Sequence, residues 1–436
     1  MSASKTAEIR SIEVPALARV EGEGGLYIGV KDGKVNEIRI NIYEPPRFFE
    51  GFLRGRSLYE VPDITARICG ICPVAYQMSS VNALEASQGI TITPSIRALR
   101  RLLYCAEWIE SHALHIYLLQ APDLLGQESA ISLAAVAPEV VIKALRMKKV
   151  GNSLLRVIGG RSVHPVSTTV GGFYRWPEKE ALQALLPELE WALAAAVETA
   201  RWAATLPYPE FETDAVYVAI RHPKEYGILD GRVVSSAGLD IPVEEYEKNF
   251  LEEHVRHSNS LHSHTKEGKN YMVGPLARLN LNHSQLGAQA QALLKELKIA
   301  LPVRNPFKAL LARAIELVDV YEDAIRLTKE YNPQGNSRIV FQPHAGEGCG
   351  VSEAPRGLLF HKYVVDGQGL IQKAKIVPPT SQNFARMEAD LWEFAPKVID
   401  KPHEEAALAC EHLVRSYDPC ISFATHFARW ENKDTA

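Results

Sequence analysis

Hydrophobic and polar positions alternate in two short runs near the N-terminus, GLYIGV and VNEIRINI, on either side of Lys31-Asp32-Gly33-Lys34. Strand side chains point to alternate faces and Asp-Gly favours a tight turn, so residues 25–42 predict a β-hairpin. The pattern returns at residues 357–377, where GLLFHKYVV and LIQKAKIV flank Asp366-Gly-Gln-Gly369. Between the two hairpins the apolar spacing lengthens to three and four. Residues 96–119, 178–205 and 284–331 carry this period and predict helices with one apolar face. The expected architecture is α+β and mainly helical, with a long central helix bundle and small peripheral antiparallel β-sheets. With no internal repeat and no low-complexity linker, residues 1–436 read as a single domain. Pro- and Gly-rich joints at 43–57, 159–173 and 343–357 read as ordered loops around a site.

Composition acts mainly by exclusion. A chain of 436 residues with 46% hydrophobic content can bury a large core. Its 48 basic and 52 acidic residues, a net charge of −4, form no long block of one sign, which argues against nucleic acid or an anionic membrane surface as partner. No run reaches the roughly 18 apolar residues of a membrane span, and MSASKTAEIRSIEV lacks the apolar core of a secretion signal. The expectation is a cytoplasmic protein with no membrane insertion. Six dispersed cysteines do not resemble a disulfide framework and favour a reducing compartment.

The chemistry concentrates in two distant segments. Arg67-Ile-Cys69-Gly-Ile-Cys72-Pro73 puts two sulfurs on one turn, and Asp418-Pro-Cys420-Ile-Ser-Phe423-Ala-Thr-His426 offers a third. Brought together, Cys69, Cys72 and Cys420 form a soft, thiolate-rich pocket for a transition metal, buried between the N- and C-terminal cysteine motifs. Spacing alone equally allows a closed Cys3His zinc site completed by His426. Arg67, Pro73 and Asp418-Pro419 exceed what such a zinc site requires. His112, His115 and His164 read as hydrogen-bonded core residues. Cys105 and Cys410 lie in helical contexts and Cys349 in a Gly-rich loop, with no ligand spacing. There is neither a cysteine run for an iron–sulfur cluster nor a dinucleotide fingerprint.

Taken together, these motifs resemble the large, catalytic subunit of nickel-iron hydrogenases over roughly residues 10–430. Further segments carry the likeness: Arg19-Val-Glu21-Gly, Pro46-Arg-Phe-Phe-Glu50, Ser111-His-Ala-Leu-His115 with Pro122-Asp123, Gly159-Gly-Arg161-Ser-Val-His164-Pro165, Val273-Gly-Pro-Leu-Ala-Arg278, Glu353-Ala-Pro-Arg356-Gly357 and Val377-Pro-Pro379-Thr380. The resemblance implies reversible heterolytic splitting of hydrogen, in the cytoplasmic, bidirectional, nicotinamide-linked type. It implies Cys69 and Cys420 as terminal nickel ligands and Cys72 as a bridge to an iron carrying carbon monoxide and cyanide. Arg356 and Thr380 would donate to those small ligands. Asp123, Arg356 and Asp418 would form a polar canopy, Glu21 would carry protons, and Glu50 with His426 would hold magnesium or iron. The implied partners are a small iron–sulfur subunit, NAD(P)-reducing diaphorase subunits and a maturation endopeptidase that removes residues 427–436.

The sequence departs from the family pattern twice. Tyr76 and Gln77 stand where the family often has a histidine, and either can donate a comparable hydrogen bond. Phe423 stands where the family has a second bridging thiolate, so the fourth sulfur is missing. Two other readings follow from that gap: a degenerate, non-catalytic assembly subunit, and a zinc-stabilised structural protein.

Overall fold

A computed structural model describes residues 9–44 and 48–421. Both expected hairpins form. Gly24–Lys31 pairs antiparallel with Lys34–Ile42, and Ile9–Val14 adds a third strand on the other edge. Asp32 (φ 51°) and Gly33 (φ 72°) both lie in the left-handed region, the geometry of a primed turn that matches strand twist. Gly357–Val365 pairs with Ile371–Val377, the turn being pinned by Asp366 Oδ1, which accepts from the N–H groups of Gln368 (2.9 Å) and Leu370 (3.0 Å). A four-stranded sheet built on Val216–Arg221 and a hairpin of Phe250–His254 with Leu261–Thr265 complete the larger β elements.

The predicted helical windows are helical but interrupted. Pro94–Leu114 begins with Thr93, whose side chain accepts from Ile96 N–H, and then widens into a π turn over His115–Gln120. Residues 178–205 divide into Lys179–Gln183 and Leu186–Ala204, with Pro187 in the first turn of the second helix. Residues 284–331 yield Ala288–Glu296 and Ala309–Glu330, separated by a stretch that contains Pro302 and Pro306. Pro94–Leu114 packs on Pro138–Gly159 and on Ala309–Glu330, and the latter packs on Leu186–Ala204. Among the described residues no helix is long and apolar enough to cross a membrane.

The expected loop at 343–357 is instead a strand, Gly346–Ala354, paired with Gly357–Val365. Its glycines lie against the Pro73–Ser87 helix. A Cβ on Gly348 would collide with the Ala83 carbonyl, and one on Gly350 would sit 2.7 Å from Ser79 O. The strand therefore packs backbone to backbone on the helix that begins beside Cys72, and it delivers Arg356 to the same region.

A buried ionic network lies on the far side of that strand. Arg278 binds Glu316 through Nε (2.7 Å) and Nη2 (2.8 Å), and binds Glu353 through Nη1 (3.0 Å). Its guanidinium rests 4.2 Å from the centre of the Trp108 ring. His112 Nε2 (2.9 Å) and the Tyr226 hydroxyl (2.8 Å) complete the shell of Glu316. Burial would raise the Glu316 carboxyl, but the charge and hydrogen bonds of Arg278, helped by His112, hold it at about 2. Burial dominates at Glu353, which is pushed up to about 7. Glu316→Gln leaves the Arg278 charge poorly compensated inside the core, so chemical denaturation should show a loss of about 3–5 kcal/mol. A loss below about 1 kcal/mol would mean that the network adds little.

Candidate metal centre

Cys69 leaves the short 3-10 turn Ala66–Ile68 in extended conformation, and Cys72 caps the Pro73–Ser87 helix. This bend aims the N–H groups of Ile71 and Cys72 at Cys69 Sγ, each at 3.3 Å. The next two helical N–H groups, of Val74 (2.5 Å) and Ala75 (3.1 Å), go to the buried carboxyl of Glu107. Burial lifts that carboxyl well above the usual range, partly offset by these N–H groups.

Cys420 arrives from the other end of the sequence. Its N–H donates to Thr380 Oγ1 (3.1 Å) at the start of the Pro379–Phe394 helix, and Ile421 N–H donates to the Glu21 carbonyl (2.8 Å). The three sulfurs converge: Cys69 Sγ is 3.1 Å from Cys72 Sγ and 3.4 Å from Cys420 Sγ. All three are buried, and all three ligand atoms lie within 4.8 Å of one another. The separations far exceed a disulfide bond. Burial raises the Cys69 thiol, but hydrogen bonds from Cys420 and Cys72, the Arg356 charge and the Ile71 N–H together hold it well below its ordinary range. Cys72 and Cys420 are pushed up, by burial first. The three sulfurs lie close enough to share protons, and a soft metal ion can take the place of those protons.

Polar groups surround this sulfur pocket. Arg356 Nη2 binds Asp418 Oδ1 (3.0 Å), Nε donates to the Asp418 carbonyl (3.0 Å) and Nη1 donates to Ser111 Oγ (3.3 Å). Asp418 has φ 56°, a left-handed conformation that ends the His403–Ser416 segment and turns Cys420 inward. Arg356 and Arg313 hold the Asp418 carboxyl below its usual range against burial. Arg313 Nε and Nη2 and Asp418 Oδ2 are buried without hydrogen-bond partners among the described residues. Glu21 Oε2 lies 3.0 Å from Cys420 Sγ.

The expected residues do not all assemble here. Cys69, Cys72, Cys420, Glu21, Arg356, Asp418 and Thr380 do. Asp123 does not: its carboxylate binds Arg415 (2.8 and 2.9 Å) and Arg19, and Ser111 occupies the place beside Arg356. His115 lies between the two clusters, its Nε2 2.9 Å from the Arg415 carbonyl and 4.0 Å from Asp418 Oδ1. Arg67 also lies apart, paired at the surface with Asp63 (3.5 Å). Glu50 Oε1 accepts from Ile376 N–H (2.8 Å), and burial raises its carboxyl. His426, Phe423, Pro46, Arg47 and residues 427–436 lie outside the described residues. Gln77 is committed to the Pro165 carbonyl (2.6 Å), whereas the Tyr76 phenol is raised by burial and by the field of the three cysteines. His112, His115 and His164 are hydrogen-bonded within the fold. Glu107, Ser111 and Arg313 were not expected at the site. Only the shared helical face of Glu107 and Ser111, four residues apart, could have indicated the first two.

The description "nickel-dependent hydrogenase" belongs to a family model that matches residues 47–139 and 242–426. The alpha subunit of sulfhydrogenase 1 from Pyrococcus furiosus is 36% identical over 422 residues, which span 96% of this chain and 98% of that one. The beta subunit of the NAD-reducing hydrogenase HoxS from Cupriavidus necator is 26% identical over 468 residues, with 96% and 95% covered. A crystal structure of an NAD+-reducing NiFe hydrogenase in the H2-reduced state superposes with a TM-score of 0.85 at 28% identity, covering 97% of this chain and 100% of that one.

Proposed function

Because the chain belongs to the nickel-dependent hydrogenase family, as a large subunit, we propose that it splits hydrogen reversibly into protons and electrons at the three-cysteine pocket. The observation that carries this reading is the convergence of Cys69, Cys72 and Cys420 with a carboxylate 3.0 Å from one sulfur. Three soft donors, an adjacent arginine and a buried hydroxyl fit a nickel-iron group in kind, although Phe423 leaves that group one sulfur short. Cys69, Cys72 and Cys420 would hold it, and Arg356 with Thr380 would face its carbon monoxide and cyanide ligands. Such a centre supplies the electron-rich metals at which the H–H bond is polarised.

The chain's own residues handle the proton. Cys420 Sγ presents it, and Glu21 Oε2 accepts it within hydrogen-bond distance. The Thr380 hydroxyl accepts from the Cys420 N–H and has a proton of its own to donate. Asp418 fixes the Arg356 guanidinium, while Asp123 acts one step removed by orienting Arg415. Glu50 together with His426 would hold a magnesium or iron ion. The chain holds no cluster motif, so electrons pass to a small iron–sulfur subunit and, by the likeness to NAD-reducing relatives, to NAD(P)-linked diaphorase subunits in the cytoplasm. A maturation endopeptidase would remove the tail after His426.

Elemental analysis and infrared spectroscopy of the complex purified with its partners test this reading. Iron with the stretching bands of bound carbon monoxide and cyanide is the expected result. Zinc without such bands would return the pocket to a structural site, and a metal-free pocket would make the chain a non-catalytic assembly subunit.

A further inference from the structure

A second cluster of metal-ligating side chains lies away from the thiols. His257 sits in the loop of the 250–265 hairpin, His262 on the strand Leu261–Thr265, and Glu388 on the Pro379–Phe394 helix. One ligand atom from each falls within 4.8 Å of the others. His257 Nε2 is 2.8 Å from Glu388 Oε1, and His262 Nδ1 is 3.9 Å from Glu388 Oε2. Two ligands at tetrahedral zinc distances lie about 3.3 Å apart, so the observed separations bracket the required one.

Burial and charge separate this cluster from an ordinary surface network. His262 is 3% exposed and turns Nδ1 toward Glu388, while Nε2, on the other side of the ring, is buried with no hydrogen-bond partner among the described residues. Its ring stacks on Phe384 (5.8 Å between centroids, 22°), which fixes its orientation. No Lys or Arg pairs with Glu388 among the described residues. The comparable cluster of His222, Glu225 and Asp230 already has its cation: Arg97 Nη2 binds Glu225 at 2.7 Å and Asp230 at 2.8 Å, and Arg101 adds a further contact to Glu225 of 2.9 Å.

We propose that His257, His262 and Glu388 bind one divalent transition metal of the zinc class, with solvent as the fourth ligand. Two imidazoles and a carboxylate are the donor set that such an ion accepts. The ion would join three parts of the fold. Glu388 Oε1 also receives the Ile40 N–H (2.9 Å) from the N-terminal sheet, Asn259 N–H reaches the Ile42 carbonyl (3.1 Å), and the helix that bears Glu388 begins beside Thr380. The site is independent of the nickel assignment, because it shares no residue with the thiol pocket.

The test uses the full chain, dialysed against chelator and then given zinc alone. Zinc bound per chain is measured for the wild type, His257→Gln, Glu388→Gln and Cys72→Ser. We expect the wild type and Cys72→Ser to retain one equivalent that both ligand variants lose, with zinc affinity in those variants reduced at least tenfold. His257 is a partly exposed loop residue, so His257→Gln should keep the wild-type circular dichroism spectrum. Equal zinc content and affinity in the wild type and in a folded His257→Gln would overturn the proposal. So would loss of the equivalent in Cys72→Ser alone.

Discussion

Phe423→Cys should raise nickel from well below one atom per chain to one, with hydrogen-oxidising activity rising about 100-fold or more in step. The three sulfurs already converge around Cys69, and Cys420 is fixed by Thr380 and Glu21. Position 423 lies two residues beyond the last described one and three after Cys420 in sequence. A phenyl ring has no lone pair for a metal, and loss of even an outer-shell group typically costs about 10–100-fold in metal affinity or activity. Tail processing supplies a further readout. If removal of Phe427–Ala436 awaits nickel, intact mass should show the Phe423 chain largely uncut and the Phe423→Cys chain ending at His426. Full nickel occupancy and unaltered activity in the Phe423 chain would show that a fourth sulfur is dispensable.

Glu21→Gln should lower turnover about 100-fold or more in an active background while leaving metal content unchanged. The substitution preserves shape and hydrogen bonding but removes the group that takes up a proton. Glu21 touches the site twice, its side chain 3.0 Å from Cys420 Sγ and its carbonyl on the Ile421 N–H. Only the first contact changes in the variant, so the Cys420 backbone should stay in place. Near-normal hydrogen production at neutral pH would remove Glu21 from the proton path. Loss of metal would make its role structural.

Two kinds of element were legible in the sequence. Lys34–Ile42 and Leu186–Ala204 alternate polar and apolar positions because solvent meets one side. Pro94–Leu114 is buried nearly all round, and its polar positions include arginines paired with carboxylates inside the fold, such as Arg100 with Glu85 and Arg101 with Asp323. The Pro73–Ser87 helix is equally buried but carries a single charged residue, Glu85, and shows no helical stripe. The Gly346–Ala354 strand reads as a loop because its glycines answer to a neighbouring helix backbone, a tertiary demand that local pattern does not express. The cysteines, Glu21, Arg356, Asp418 and Thr380 were legible through motifs. Asp123 was misplaced for a geometric reason: the π turn at His115–Gln120 intervenes, and the Arg356 side chain meets Ser111, on the α-helical side of it.

The interval of 351 residues between Cys69 and Cys420 also has a meaning in time. At ordinary rates of synthesis, roughly 5–20 residues per second, Cys420 follows Cys69 from the ribosome after roughly 20–70 s. For most of that interval the Gly346–Ala354 strand, which covers the helix behind Cys72, and Thr380, which anchors Cys420, do not yet exist. The nascent chain therefore carries an open cysteine pair long before it has a pocket. Whatever meets that pair first, an oxidant, a stray soft ion or a protecting protein, decides whether the finished subunit receives its intended metal.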